Sequence, residues 1–218
     1  MQLTASSIYF LSFLLAFCSL VYEFIFAQIL SVTIGNTKNQ YLITISIFTF
    51  ALGCGAIATH FTKDKIHPKK NLFLVEIFLT ILGSLGPFIM LYLSSSGNQG
   101  LLFLSYLIIF IIGFLSGFEI PCLINLGTGL KGKILAFDYI GMLAACLLFP
   151  LIILPILGIA GGAIFISLLN GIAFFWLTDF KKSSKFILFF ILSFFLFLTI
   201  NHRDTLGEIM IEIYLDQK

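Results

Sequence analysis

Seven apolar stretches, all but one neighbouring pair separated by short polar turns, dictate what this chain can become. They run over residues 8–33, 41–61, 71–93, 101–126, 134–157, 159–177 and 186–201, and the turns between them include GNTKNQ, KDKIHPKK, SSSGNQG, GTGLKGK and DFKKSSK. A helix that crosses a bilayer needs about 20 predominantly apolar residues, and the stretches match that length better than they match strands or the amphipathic helices of a soluble domain. The connection at Gly158 is so short that the fifth and sixth stretches must form a hairpin. Composition agrees: 60% of the 218 residues are hydrophobic, 10% are charged, and the mean hydropathy is +1.12. Ordinary soluble domains carry about 25% charged residues. The expected fold class is therefore all-α, a polytopic membrane helix bundle of about seven transmembrane helices. A transmembrane domain occupies residues 1–203, and a short β-like tail fills 204–218.

The first stretch lacks a basic n-region and a small-residue cleavage site, so it reads as a mature helix and not as a signal peptide. Lys63, Lys65, Lys69 and Lys70 fall in the second loop, Lys131 and Lys133 in the fourth, and Lys181, Lys182 and Lys185 in the sixth. The first loop has only Lys38. The positive-inside rule places the even-numbered loops and the N-terminus in the cytoplasm. The expected location is the bacterial inner membrane, crossed several times. The net charge of +2 gives no nucleic-acid footprint, and no nucleic-acid partner is expected.

Four acids lie inside the stretches, Glu23, Glu76, Glu119 and Asp138, while every Lys and Arg lies outside them. A charged side chain at the bilayer centre costs roughly 2.5–3.5 kcal/mol on insertion scales, so unpaired carboxylates there call for hydrogen bonds, water or a cation. With the orientation above, Glu76, Glu119 and Asp138 are each one to two turns from a cytoplasmic end and are expected to converge on a cytoplasm-facing vestibule. Glu119 stands in GFLSGFEIP, where Gly117 and Pro121 predict a helix break. Proline removes a backbone donor, and broken helices at buried acids are a common way to build a cation site. The competing reading is that the acids bond neighbouring Ser, Tyr and Asn side chains and fix the register of the bundle. The glycine pairs Gly53/Gly55, Gly83/Gly86 and Gly113/Gly117, and Gly141 with Ala144 and Ala145, read as faces where helices approach closely. Cys18, Cys54, Cys122 and Cys146 match no metal or redox spacing and read as packing residues. No metal site is expected from His60, His67 and His202, and no cofactor.

The segments CSLVYEFIFAQIL, LVEIFLTILGSLGP, GFLSGFEIPCLINL and ILAFDYIGMLAACLLFPLIILPILG together resemble the membrane half of spermidine synthase-like (polyamine aminopropyltransferase-like) proteins. In that family a seven-helix region precedes a soluble transferase domain. The resemblance maps Glu23, Glu76, Glu119 and Asp138 onto acidic positions of the family pattern. Gln28 and Asn125 stand where the family pattern has arginines, so no internal ion pairing is carried over. The glycine-rich turn and amine-binding acids of the transferase domain would lie beyond this sequence, and aminopropyl transfer by this polypeptide alone is not expected.

In the tail, GEIMIEIYLDQK puts Ile209, Ile211, Ile213 and Leu215 on one face at strand periodicity, which predicts a strand that adds to a partner's sheet edge. Three functions follow as expectations. The leading one is a non-catalytic integral membrane subunit that anchors or assists a separate aminopropyltransferase-like enzyme. The second is a transporter or binder of a small organic cation, a polyamine, through Glu23, Glu76, Glu119 and Asp138. The third is a structural subunit of a larger membrane complex.

Overall fold

The computed structural model describes residues 4–62, 67–95, 98–127, 129, 131–177, 201, 205, 207–209 and 211–212, and the side chains of 174–176 are outside it. Helix α1 spans Ala5–Ile34, α2 Thr37–Thr62, α3 Pro68–Ser95, α4 Gln99–Ser116, α5 Glu119–Leu126 and α6 Lys131–Leu148. A π-helical segment, Phe149–Ile153, then joins α6 to α7, Leu154–Leu177. Gly158 interrupts α7 with φ 68°, a left-handed conformation that glycine adopts without strain. The α4–α5 pair forms one broken rod, and residues 131–157 and 159–177 form the two arms of the hairpin expected at Gly158.

Among the described residues this makes six helical rods, where about seven were expected. The seventh stretch, 186–201, lies outside the described residues except for Asn201. The β-like tail is also corrected: Gly207, Glu208, Ile209, Ile211 and Glu212 are helical, and Ile213 and Leu215 are not described. An isolated strand has no ladder partner for its backbone groups, whereas a helix satisfies them within the segment.

Start signals are local. Thr4 caps α1 by accepting from the Ser7 amide at 3.3 Å, and Asn98 caps α4 by accepting from the Gly100 amide at 2.8 Å. Gly35 and Asn36, both at positive φ, turn the chain from α1 into α2. The order of the helices follows from what each touches. Gly141 of α6 lies on the Phe13 backbone and Phe149 packs on Phe24, so α6 runs parallel to α1. Tyr22 meets Gly83 and Phe26 meets Gly86, so α3 is parallel to α1 as well. In the second arm of the hairpin, Gly162 faces Ile25 and Ser167 faces Tyr22, which makes that arm antiparallel to α1.

The first helix is the axis of the molecule. It is apolar all round, with no polar stripe, and such a helix is buried. Accordingly α1 packs against every other helix, and its buried side chains, from Ile8 to Ser31, occupy all its faces. The outer helices turn large apolar side chains outward, including Leu42, Phe50, Phe61, Phe78, Phe103 and Leu151. Monomeric soluble proteins rarely expose so continuous an apolar surface. Five helical segments are long and apolar enough to cross a bilayer, the last of them, Lys131–Ala173, running through the first hairpin arm and most of the second. Lys69, Lys70, Lys131 and Lys133 gather at the end where α1, α3 and α6 begin.

Candidate functional site: a buried acidic cluster

Cys18 and Tyr22 are one turn apart on α1 and face the interior. Around them α3 supplies Glu76, α5 supplies Glu119 and Cys122, and α6 supplies Asp138. Glu119 is within Coulombic range of both Glu76 and Asp138. Cys18, Tyr22 and Cys122 are each within range of Glu76 and Glu119. Three of the four acids expected to act together therefore do converge. Glu23 is not among the groups that reach Glu119, because a helix turns by about 100° per residue and carries Glu23 away from the Cys18–Tyr22 face.

The expected open vestibule is replaced by an interior cluster. Glu76 is 0% exposed, Glu119 3% and Asp138 6%, because α1 fills the space between α3, α5 and α6. At about 1.5 Å per residue, Glu76 and Asp138 lie about 10–12 Å in from the lysine-bearing starts of α3 and α6.

Among the described residues neither carboxyl oxygen of Glu76 has a hydrogen-bond partner. Thr80 donates to the Glu76 main-chain carbonyl at 2.7 Å and leaves the carboxyl unserved. Ser116 Oγ, three residues before Glu119, and Asn170 Oδ1 on α7 are also buried without partners among the described residues. A buried carboxylate left alone is costly, so Glu76 is stable there as a neutral acid or with a cation against it. In the described helices every lysine lies within a helix's first turns, at Lys38, Lys69, Lys70, Lys131 and Lys133. Among the described residues no group of three His, Cys, Asp or Glu side chains has the geometry to hold a metal ion.

The predicted break at Gly117 and Pro121 is present. Gly117 donates to the Gly113 carbonyl at 2.9 Å, and Phe118 donates three residues back, to Leu115, at 3.0 Å. Helix α5 then restarts with Glu119 in its first turn. Pro121 has no N–H to give to the Gly117 carbonyl. The break coincides with the closest backbone approach of α2 and α4: a Cβ on Gly117 would strike the Leu52 carbonyl, and one on Gly55 would strike the Phe114 carbonyl.

Sequence reasoning did not single out Tyr22, Ser167 and Asn170; it read Cys18 and Cys122 as packing residues, and both are buried beside the acids. Tyr22 Oη lies 3.1 Å from Ser167 Oγ and 3.4 Å from the Leu79 carbonyl, tying α1, α3 and α7 beside the acids. The available signal was spacing: Cys18/Tyr22 at i, i+4 and Ser167/Asn170 at i, i+3 are polar repeats at helical period within apolar stretches. For the tail, Ile209 and Ile211 are exposed on helical backbone, away from this cluster in sequence.

No family model matches the chain, and no solved structure matches it. Curated proteins do. The chain is 29% identical over 193 residues to the polyamine aminopropyltransferase of Leptospira interrogans, which covers 84% of this chain and 38% of that protein. It is 32% identical over 169 residues to polyamine aminopropyltransferase 1 of Streptomyces coelicolor, covering 74% and 31%. With polyamine aminopropyltransferase 2 of Aquifex aeolicus it is 32% identical over 213 residues, covering 94% and 42%. The chain thus spans about a third to two-fifths of the length of these relatives, and it resembles part of polyamine aminopropyltransferase proteins.

Proposed function

We propose that this chain is a membrane-embedded module that binds a small organic cation of the polyamine class at Glu76, Glu119 and Asp138, beside an aminopropyltransferase activity that uses or produces such cations. The observation that carries the binding reading is the convergence of three buried acids from three helices with no internal lysine, one of them, Glu76, with both carboxyl oxygens unpartnered. A diamine or triamine brings the positive charges and N–H donors that the cluster lacks. The positive-inside rule orients the lysine-bearing end to the cytoplasm, and the acids lie nearer that end. The test is saturable binding of labelled putrescine or spermidine to the full chain in lipid nanodiscs. Glu119→Gln and Asp138→Asn should each weaken binding about tenfold or more, the scale of one lost charge-assisted contact. Variants that bind like the native chain sink the reading.

A second reading, that the module anchors or assists an aminopropyltransferase-like enzyme, is supported by its likeness to part of polyamine aminopropyltransferase proteins. With the strand tail corrected, the docking surface on that reading is the lysine-bearing end. Gentle-detergent purification from the native source, with co-eluting proteins identified by mass spectrometry, should then return an aminopropyltransferase-like protein in stoichiometric amount. An unaccompanied chain removes the anchoring role and leaves cation binding standing.

A further inference from the structure

The acids are sealed in the structure, so a cation needs a way in. Helix α6, which carries Asp138, is the wall of the site held mainly by one neighbour. Its buried side chains form a single narrow line, Ile134, Asp138, Gly141 and Ala145, laid along α1 in an extensive contact, and its other main neighbours among the described residues are α5 and its own π segment. Its remaining face is exposed and apolar, at Phe137, Tyr139, Ile140, Leu143 and Leu147. The contact with α1 is made of small groups. Gly141 sits directly on the Phe13 carbonyl, Ser12 donates to the Ile134 carbonyl at 2.8 Å, and Phe137 stacks on Tyr9 with 5.1 Å between centroids, so parting the two helices breaks one buried hydrogen bond and one ring stack.

Both ends of α6 are built to bend. Before it, Gly127 ends α5 and Gly129 takes φ 87°. After it, Pro150 cannot donate to the Cys146 carbonyl, Leu154 donates five residues back to Phe149, and Pro155 and Gly158 follow. This π turn has a geometric role. The inner line continues through Phe149, Ile153 and Leu157 in steps of four, which in a regular helix drift by about 40° each, and the wider turn absorbs the drift. Helix distortions of this kind are sites where a rod bends.

We propose that α6 is the gate of the acidic site: it pivots on the π segment, parts from α1 along the Ile134–Ala145 line, and admits the cation between Asp138 and Glu119. The proposal rests on the reading of the acids as a cation site, but its test does not need the ligand. Cys18 and Cys122 are buried beside the acids, while Cys146 is exposed on the outer face of α6, so native thiols report opening. The rate of N-ethylmaleimide modification at each cysteine is read by peptide mass spectrometry on the full chain in nanodiscs.

Gly141→Ala drives a methyl into the Phe13 carbonyl and should raise modification of Cys18 and Cys122 about tenfold, the scale of a population shift of that size. Gly55→Ala is as severe a clash at the α2–α4 contact, and Gly132→Ala meets nothing within 4 Å; both should leave the rates within about twofold. An equal rise in Gly55→Ala means general loosening and overturns the gate. A second measurement is independent of how Gly141→Ala folds. With Phe137→p-benzoylphenylalanine, irradiation ties α6 to α1 and should cut modification of Cys122 about tenfold while Cys146 is unchanged. Rates unaffected by that tether also overturn the gate. If the tether closes the site and no polyamine binds, the ligand assignment fails and the gate stands.

Discussion

Tyr22 on α1 donates its hydroxyl to Ser167 Oγ on α7 across 3.1 Å, and Ser167 passes its own proton to the Ala163 carbonyl at 2.9 Å. Each hydroxyl has one proton, so this order satisfies both and leaves the Leu79 carbonyl, 3.4 Å from Tyr22 Oη, as a weaker third contact. The ring that makes this link lies against Gly83, where a Cβ would overlap it.

Two substitutions separate the bond from the packing. Tyr22→Phe keeps the stack on Phe26 and should cost about 1 kcal/mol, the net worth of one buried hydrogen bond. Gly83→Ala should cost more, about 1–3 kcal/mol, because the ring has to move. Combined with Tyr22→Leu, Gly83→Ala should cost less than the two single changes together, since the overlapping ring is gone. Thermal unfolding in detergent gives all four stabilities, and additive losses would show that Gly83 is constrained by something other than Tyr22.

The ALGCGA segment makes an internal contrast. Gly55 touches the Phe114 backbone, and backbone cannot yield as a side chain can, so Gly55→Ala should destabilise by about 1–3 kcal/mol. Gly53, two residues away, has nothing within 4 Å of its missing Cβ. Gly53→Ala should instead stabilise by about 0.5–1 kcal/mol through the entropy of the unfolded chain. Opposite signs from one motif are the expected reading of a chemical or thermal melt.

Six of the expected rods and the Gly158 hairpin were legible in the sequence because apolar length and polar turns are one-dimensional signals. So was the break before Glu119, since Pro121 acts on its own backbone. The central place of α1 was only implicit, in its lack of a polar stripe. The sealing of the acids was not legible, because whether Glu76 meets water depends on how α1 fills the space beside α3. The tail misled for a physical reason. Alternation at Ile209 and Ile211 specifies a strand only when a neighbouring strand supplies the ladder.

Glu23 tests whether membership of the cluster follows geometry or mere burial. It is 5% exposed, comparable to Asp138, yet it is not among the charges that reach Glu119. Glu23→Gln should therefore change polyamine affinity by less than about twofold, against about tenfold for Glu119→Gln, measured on the same nanodisc preparations. Equal losses would mean that one ligand spans a larger region of α1 than the cluster occupies.

Glu76 should show a conflict between stability and function. Its carboxyl oxygens make no hydrogen bond among the described residues and its side chain is sealed, so replacing it by an apolar residue of similar length removes an unserved polar group from the core. Glu76→Leu should stabilise the ligand-free chain or leave it unchanged, with a gain of up to about 1–3 kcal/mol, and should abolish the stabilisation that added spermidine gives the native chain. Glu76→Gln keeps the shape and a hydrogen-bonding end and should lose ligand stabilisation without gaining intrinsic stability. A residue that merely fixed helix register would behave the other way, since losing it would lower the melting temperature with or without polyamine. Melting curves of the three proteins, with and without spermidine, decide between the two roles, because only a binding acid couples a gain in stability to a loss of ligand response.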